Sequence, residues 1–224
     1  MALLSIPRTT KVVHVREAIL QEILSGTFRP GDRLVEANLA EQLGVAQATV
    51  NQALHQLHSQ GVVDKSLNRE TKVSRFGRDQ LKMLFVVRAV LEPEVARMAS
   101  GNITAKAIEQ LRHHFEEMLR AVHTGELAKF YLADYNFHQQ MYRLAHNPFM
   151  EQACRAIAAA PFAYLLCDFP GPTPRDYPGI AEEHGQVIDA LLEGPEAAVE
   201  VTKRNITKWL KWQMDFLSSK GNQA

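Results

Sequence analysis

Apolar residues recur at helical spacing along most of the chain, and the points where that spacing stops divide it into elements. Val12, Val15, Ala18, Ile19 and Ile23 form one stripe, ended by Ser25-Gly26. Phe28-Arg29-Pro30-Gly31 is a turn, because proline fixes φ and glycine permits reversal. Two short helices are expected over 34–42 and 47–60, burying Leu39, Leu43, Val45, Val50, Leu54 and Leu57. Ala40 lets them approach, and Gly44 suits a left-handed turn between them. After the stop at Gly61, Val62-Val63 starts a strand, residues 67–70 turn, and Thr71-Lys72-Val73 returns. A small residue, a glycine and a β-branched residue at this spacing point to a helix-turn-helix, and the hairpin makes it a winged one. The competing reading is an ordinary helical hairpin of a bundle.

From Arg78 the strand signals vanish. Helices are expected over 79–99, from Thr104 to Gly125, and over 128–145, 149–166, 180–192 and 196–217. The first should turn Leu81, Leu84, Phe85, Val87, Leu91 and Val95 inward and kink at Pro93. The second is capped by Thr104, with Ile108, Leu111, Phe115, Met118, Leu119 and Val122 as its stripe. Four prolines make 168–178 a loop. The fold class is therefore mainly α: a winged helix-turn-helix over 1–76 followed by an all-α bundle over 77–224.

Composition narrows the function classes only a little. The chain has 224 residues, 46% hydrophobic and 22% charged, which is ordinary for a globular protein. No apolar run reaches the ~18 residues of a membrane span, and MALLSIPRTT lacks the features of a signal peptide. Cys154 and Cys167 read as buried free thiols, so a cytoplasmic location is expected. Net charge is +0; residues 1–76 carry 9 Lys and Arg against 7 Asp and Glu. That is a weak excess for a module that must neutralise phosphates.

Residues 12–74 resemble the N-terminal domain of the GntR family of bacterial transcription regulators. The resemblance lies in REAILQEILSG, FRPGDRLVEANLAEQLGV, TVNQALHQLHSQGVV and the wing. It implies binding to a double-stranded, palindromic operator by a homodimer. Gln47 and Asn51 stand where the family commonly carries arginines, Asn38 where another is often found, and Glu70 where the wing usually has glycine. Two readings follow. In one, adenines are read by Gln47, Asn51 and Gln52, with Thr49 near a phosphate or thymine methyl and Arg33, Lys65, Arg69, Lys72 and Arg75 on phosphates. In the other, DNA binding is weakened. His55 and His58 read as exposed spacers.

In the bundle, Asp134 and His138 lie four apart on one helix and face the same way, with His184 on another. A carboxylate and two imidazoles can hold a divalent transition metal; equally, they can be a hydrogen-bonded group. Residues 79–217 resemble the FCD ligand-binding domain of the FadR-like branch, in VVRAVLEPEVARMAS, DYNFHQQMYRLAHNP and EEHGQVIDALLEG. The resemblance implies a metal, zinc or nickel, on Asp134, His138 and His184, with Asn205 at or near the place of a fourth histidine. It also implies an effector carboxylate on Arg88, whose alternative is an ion pair with Glu92. His113, His114, His123 and His146 read as surface or capping residues, and Asn147 as structural. The function expected is a ligand-responsive transcription regulator, a repressor by family habit, with no membrane association. The rival is a metal-dependent helical enzyme with an appended winged helix, or a sensor that has lost its operator. Neither G-x-S-x-G nor H-E-x-x-H is present.

Overall fold

The structure is a computed structural model that describes residues 8–65, 70–75, 78–167 and 176–220. The expected wing turn at 67–69, Arg69 with it, and loop residues 168–175 lie outside the described residues. The first unit is α1 (Arg8–Leu24), α2 (Glu36–Leu43), α3 (Gln47–Ser59) and a hairpin of β1 (Val63–Lys65) and β2 (Thr71–Val73). α1 and α2 pack on α3, and Ile19, Ile23, Leu24, Val50, Leu54 and Leu57 are buried between them. Gly44 closes α2 at φ 62, the left-handed conformation that a Cβ disfavours, and Val45 N donates back to Ala40 O. The strands pair antiparallel with Val63 opposite Val73. Residues 31–34 join the other edge of β2, where Leu34 N donates to Thr71 O and Val73 N to Asp32 O. The wing base is thereby anchored to the turn before α2.

The second unit is all helical: α4 (Arg78–Ser100), α5 (Ala105–Thr124), α6 (Leu127–Leu144), α7 (Pro148–Cys167), α8 (Tyr177–Glu193) and α9 (Pro195–Lys220). α4 runs along α9, α5 packs on α6 and α8, and α6 packs on α7. Leu111, Met118, Phe130, Phe137, Tyr142 and Ile188 fill the centre. Thr104 Oγ1 accepts from Ala107 N, capping α5 as expected. Asn147 Oδ1 accepts from Phe149 N and Met150 N and caps α7. Pro93 lies inside α4, which continues past it. α1 also touches α6 and α7, so the two units meet.

Several expectations are corrected. α8 begins at Tyr177, with Asp176 as its cap accepting from Gly179 N; Pro178 belongs to the first turn, where its missing N–H costs nothing. Leu43, Val87 and Leu119 are 37%, 42% and 39% exposed rather than inward. Leu43 ends α2 at the turn. Leu119 is one residue round the helix from buried Met118. Val87 joins Met83, Val86 and Val90 on the outer face of α4, opposite the buried Phe85, Arg88, Glu92 and Val95. His58 is exposed as expected, but it is not idle: its Nδ1 donates to Val63 O at 2.9 Å and ties α3 to β1. His113 and His114 have a partner in Glu117.

Candidate functional site

Two sites are built by this fold: a reading face on the winged helix and a polar pocket inside the bundle. On the reading face, Asn38, Gln47 and Gln52 are exposed and Thr49 and Asn51 are half-buried. Gln47, Thr49, Asn51 and Gln52 all belong to α3, the second helix of the motif. The expected phosphate-binding cations are partly answered within the chain. Glu70 lies 3.7 Å from Arg33 and 3.1 Å from Lys72, and Lys65 lies 3.5 Å from Glu36. Arg33 and Lys72 remain well exposed, whereas Lys65 is 13% exposed and turned toward Glu36. Lys65 is therefore corrected from a phosphate contact to an internal one. Arg75 Nε donates to Pro30 O.

The pocket is a cavity of about 80 Å³ whose walls come from α4, α6, α8 and α9. The three residues expected to act together do converge there. Asp134 Oδ1 lies 2.9 Å from His184 Nε2 and 3.3 Å from His138 Nε2. His184 Nδ1 faces the Ile180 carbonyl at 2.8 Å, which can only accept, so Nδ1 carries a proton. Burial opposes charge on His184, but the Asp134 carboxylate outweighs it and raises the imidazole pKa. Burial likewise opposes charge on Asp134, yet His184 and His138 hold that carboxyl well below the usual carboxylate range.

Beside this group stands a second buried pair. Arg88 Nε and Nη2 donate to the two oxygens of Glu92 at 2.6 and 3.2 Å, so the ion-pair alternative for Arg88 is the one observed. Tyr142 OH also donates to Glu92, at 2.7 Å. Against burial, Arg88 and His138 keep the Glu92 carboxyl below its ordinary value. Arg88 Nη2 lies 3.3 Å from His138 Nε2, which links the two groups. The guanidinium also lies over the Phe85 ring, which stacks on Trp209. Asn205 lines the same cavity, and its Nδ2 donates to Glu183 O.

The donor set suits a metal. Zinc bonds of about 2.0–2.2 Å in a tetrahedron place donors roughly 3.3–3.5 Å apart. The observed 2.9 and 3.3 Å come close to that, and all three donor atoms lie within 4.8 Å of one another. His184 also has the outer partner that orients a ligating imidazole, the Ile180 carbonyl. One further residue bears on the cavity: Thr202 Oγ1 is buried at its wall without a hydrogen-bond partner among the described residues. Thr202 and Tyr142 were not singled out from the sequence; Glu92 was, as the i,i+4 ion-pair alternative for Arg88. Cys154 is a free, buried thiol, and burial pushes it up to about 12; the Cys167 side chain lies outside the described residues.

With this geometry in hand, the family models agree with both halves. Residues 11–73 match the gntR family of bacterial regulatory proteins, and residues 83–208 match the FCD domain. The chain belongs to the GntR family of bacterial regulators, in the branch that carries an FCD domain. A GntR relative, the "Probable D-xylose utilization operon transcriptional repressor" of Paenarthrobacter nicotinovorans, is 29% identical over 204 residues, 91% of this chain and 88% of that one. The Glc operon transcriptional activator of Escherichia coli (strain K12) is 22% identical, over 93% and 90%. The solved structure of E. coli McbR/YncC shares the fold with a TM-score of 0.76 at 20% identity, covering 92% of this chain and 97% of that one. GntR proteins are DNA-binding transcriptional regulators, so the enzyme reading falls away. No helix among the described residues is long and apolar enough to cross a membrane.

The buried pair generates a stability prediction. Glu92→Ala leaves Arg88 charged, buried and unpaired, and should destabilise the protein by about 3–5 kcal/mol in urea denaturation. A loss below about 1 kcal/mol would mean that water reaches Arg88 freely.

Proposed function

We propose that this GntR regulator senses a small carboxylate effector through a divalent transition metal, zinc or nickel, held by Asp134, His138 and His184. The observation that carries the reading is the convergence of these three donors on one cavity wall, with His184 oriented from behind by the Ile180 carbonyl. A metal there supplies open coordination positions to an anionic ligand. Arg88 offers a planar fork for the ligand's carboxylate once it exchanges from Glu92, and the unpartnered Thr202 hydroxyl offers a neutral bond. Asn205 adds an amide at the wall rather than a fourth imidazole.

The pocket has a physical route to the DNA-reading unit. Asp134 and His138 sit on α6, together with Tyr135. α6 packs against α1 of the winged helix, and α7 does so too. A shift of α6 on effector binding is felt at α1, and it changes DNA affinity only as far as the effector prefers one arrangement.

On DNA, α3 reads the major groove through Gln47, Asn51 and Gln52, with Thr49, Arg33, Asn38, Arg69 and Lys72 serving the backbone. Two copies on a palindromic operator suit a homodimer. Its contact is the outer face of α4, where Met83, Val86, Val87 and Val90 are 67%, 51%, 42% and 70% exposed at helical spacing. The protein acts in the cytoplasm, by repression relieved on effector binding.

Elemental analysis of the purified protein tests the metal. About one zinc or nickel per chain is expected, lost in His138→Ala, with effector binding lost alongside; equal metal in both proteins would sink the assignment. Light scattering tests the α4 face: Val86→Glu with Val90→Glu should convert a dimer to a folded monomer, and an unchanged dimer places the contact elsewhere.

A further inference from the structure

Glu36 stands in the first turn of α2, beside the recognition helix rather than on it. Its half-buried carboxylate is met by three donors from α3 and β1. Asn51 Nδ2 approaches to 2.7 Å, and Gln47 Nε2 and Lys65 Nζ to 3.5 Å each. A carboxylate can only accept, so the 2.7 Å contact settles which end of the Asn51 amide faces it: the NH2 group. That nitrogen keeps a second proton, and Oδ1 keeps its lone pairs. One donor beside one acceptor complements adenine in the major groove, which offers N7 as acceptor and N6 as donor. Turned over, the same amide presents the two in reversed order and loses the match.

We propose that Glu36 is a positioning residue for base reading: it fixes the Asn51 amide in the orientation that selects adenine. The inference rests on the DNA-reading role proposed for α3 and adds the residue that sets its specificity. Lys65 neutralises the carboxylate, which lets an acidic residue sit near phosphates without repelling them. Gln47, at the limit of hydrogen-bond distance, is held more loosely and reads less strictly. Because Glu36 is part-exposed and outside the core, its near-isosteric replacement by glutamine leaves the fold intact.

The test uses the full chain and a pool of duplexes with randomised bases, with the retained fraction sequenced and affinities then measured on the selected duplex and its single-base variants. Wild type should select a motif containing an adenine whose preference disappears in Asn51→Ala. A bidentate amide pair is worth roughly 5- to 150-fold in discrimination. Glu36→Gln should cut that preference at least threefold. Its affinity for mixed-sequence duplex should hold or rise, because a negative charge is gone and Lys65 is released. Glu36→Asp keeps the charge but shortens the reach, and should lose the same preference. Added to Asn51→Ala, neither change should alter it further. An undiminished adenine preference in Glu36→Gln and Glu36→Asp overturns the proposal. So does a parallel loss of mixed-sequence binding and melting temperature in both, which marks a purely structural role. If wild type selects no motif at all, the DNA-reading role fails first and this proposal with it.

Discussion

A carboxylate taken out of water has to be answered by positive charge, and the bundle is arranged around that demand at Asp134. Its oxygen meets two imidazoles from different helices, and the carboxylate in turn raises the pKa of His184 against the effect of burial. Glu92, on α4, imposes the same demand and is answered by Arg88 and Tyr142. The two groups share His138, which touches Asp134, Arg88 and the vicinity of Glu92 at once. α4, α6 and α8 are therefore held together by charge as well as by packing. A ligand that enters must displace or join this network, which is the physical basis of the sensing role proposed for the pocket.

The reading face obeys the same rule at lower stakes. Glu36 gathers Asn51, Gln47 and Lys65, and Glu70 gathers Arg33 and Lys72. These two acids are among the seven that offset the nine cations of residues 1–76. Partial neutralisation weakens sequence-independent attraction to DNA and leaves more of the affinity to base contacts.

Much of the fold was legible because its punctuation is chemical. Gly44, Thr104 and Gly125 mark helix ends through backbone conformation and capping, and each stands where the spacing placed it. The convergence of Asp134, His138 and His184 was legible because i,i+4 spacing fixes a common face and family resemblance supplied the third residue. Other features were hidden because they depend on tertiary neighbours. Val87 fits an inward stripe as well as an outward one until α9 is known to cover the other face of α4. Pro178 reads as a loop residue unless Asp176 is seen to cap a helix start. Glu36 reads as an acid favoured near a helix N-terminus, and its contact with Asn51 appears only when α2 and α3 cross. Thr202 has no local signal at all; its meaning comes from a missing partner at a cavity wall.

The proposed regulation requires that occupancy of the bundle pocket and binding of DNA be energetically coupled. Linkage makes that coupling reciprocal. Zinc affinity, measured by titration of the metal-free protein alone and again saturated with a selected duplex, tests it most directly. The dissociation constants should differ by roughly 5- to 150-fold between the two states, in the presence of a carboxylate that binds the pocket. Identical constants with and without DNA would contradict it.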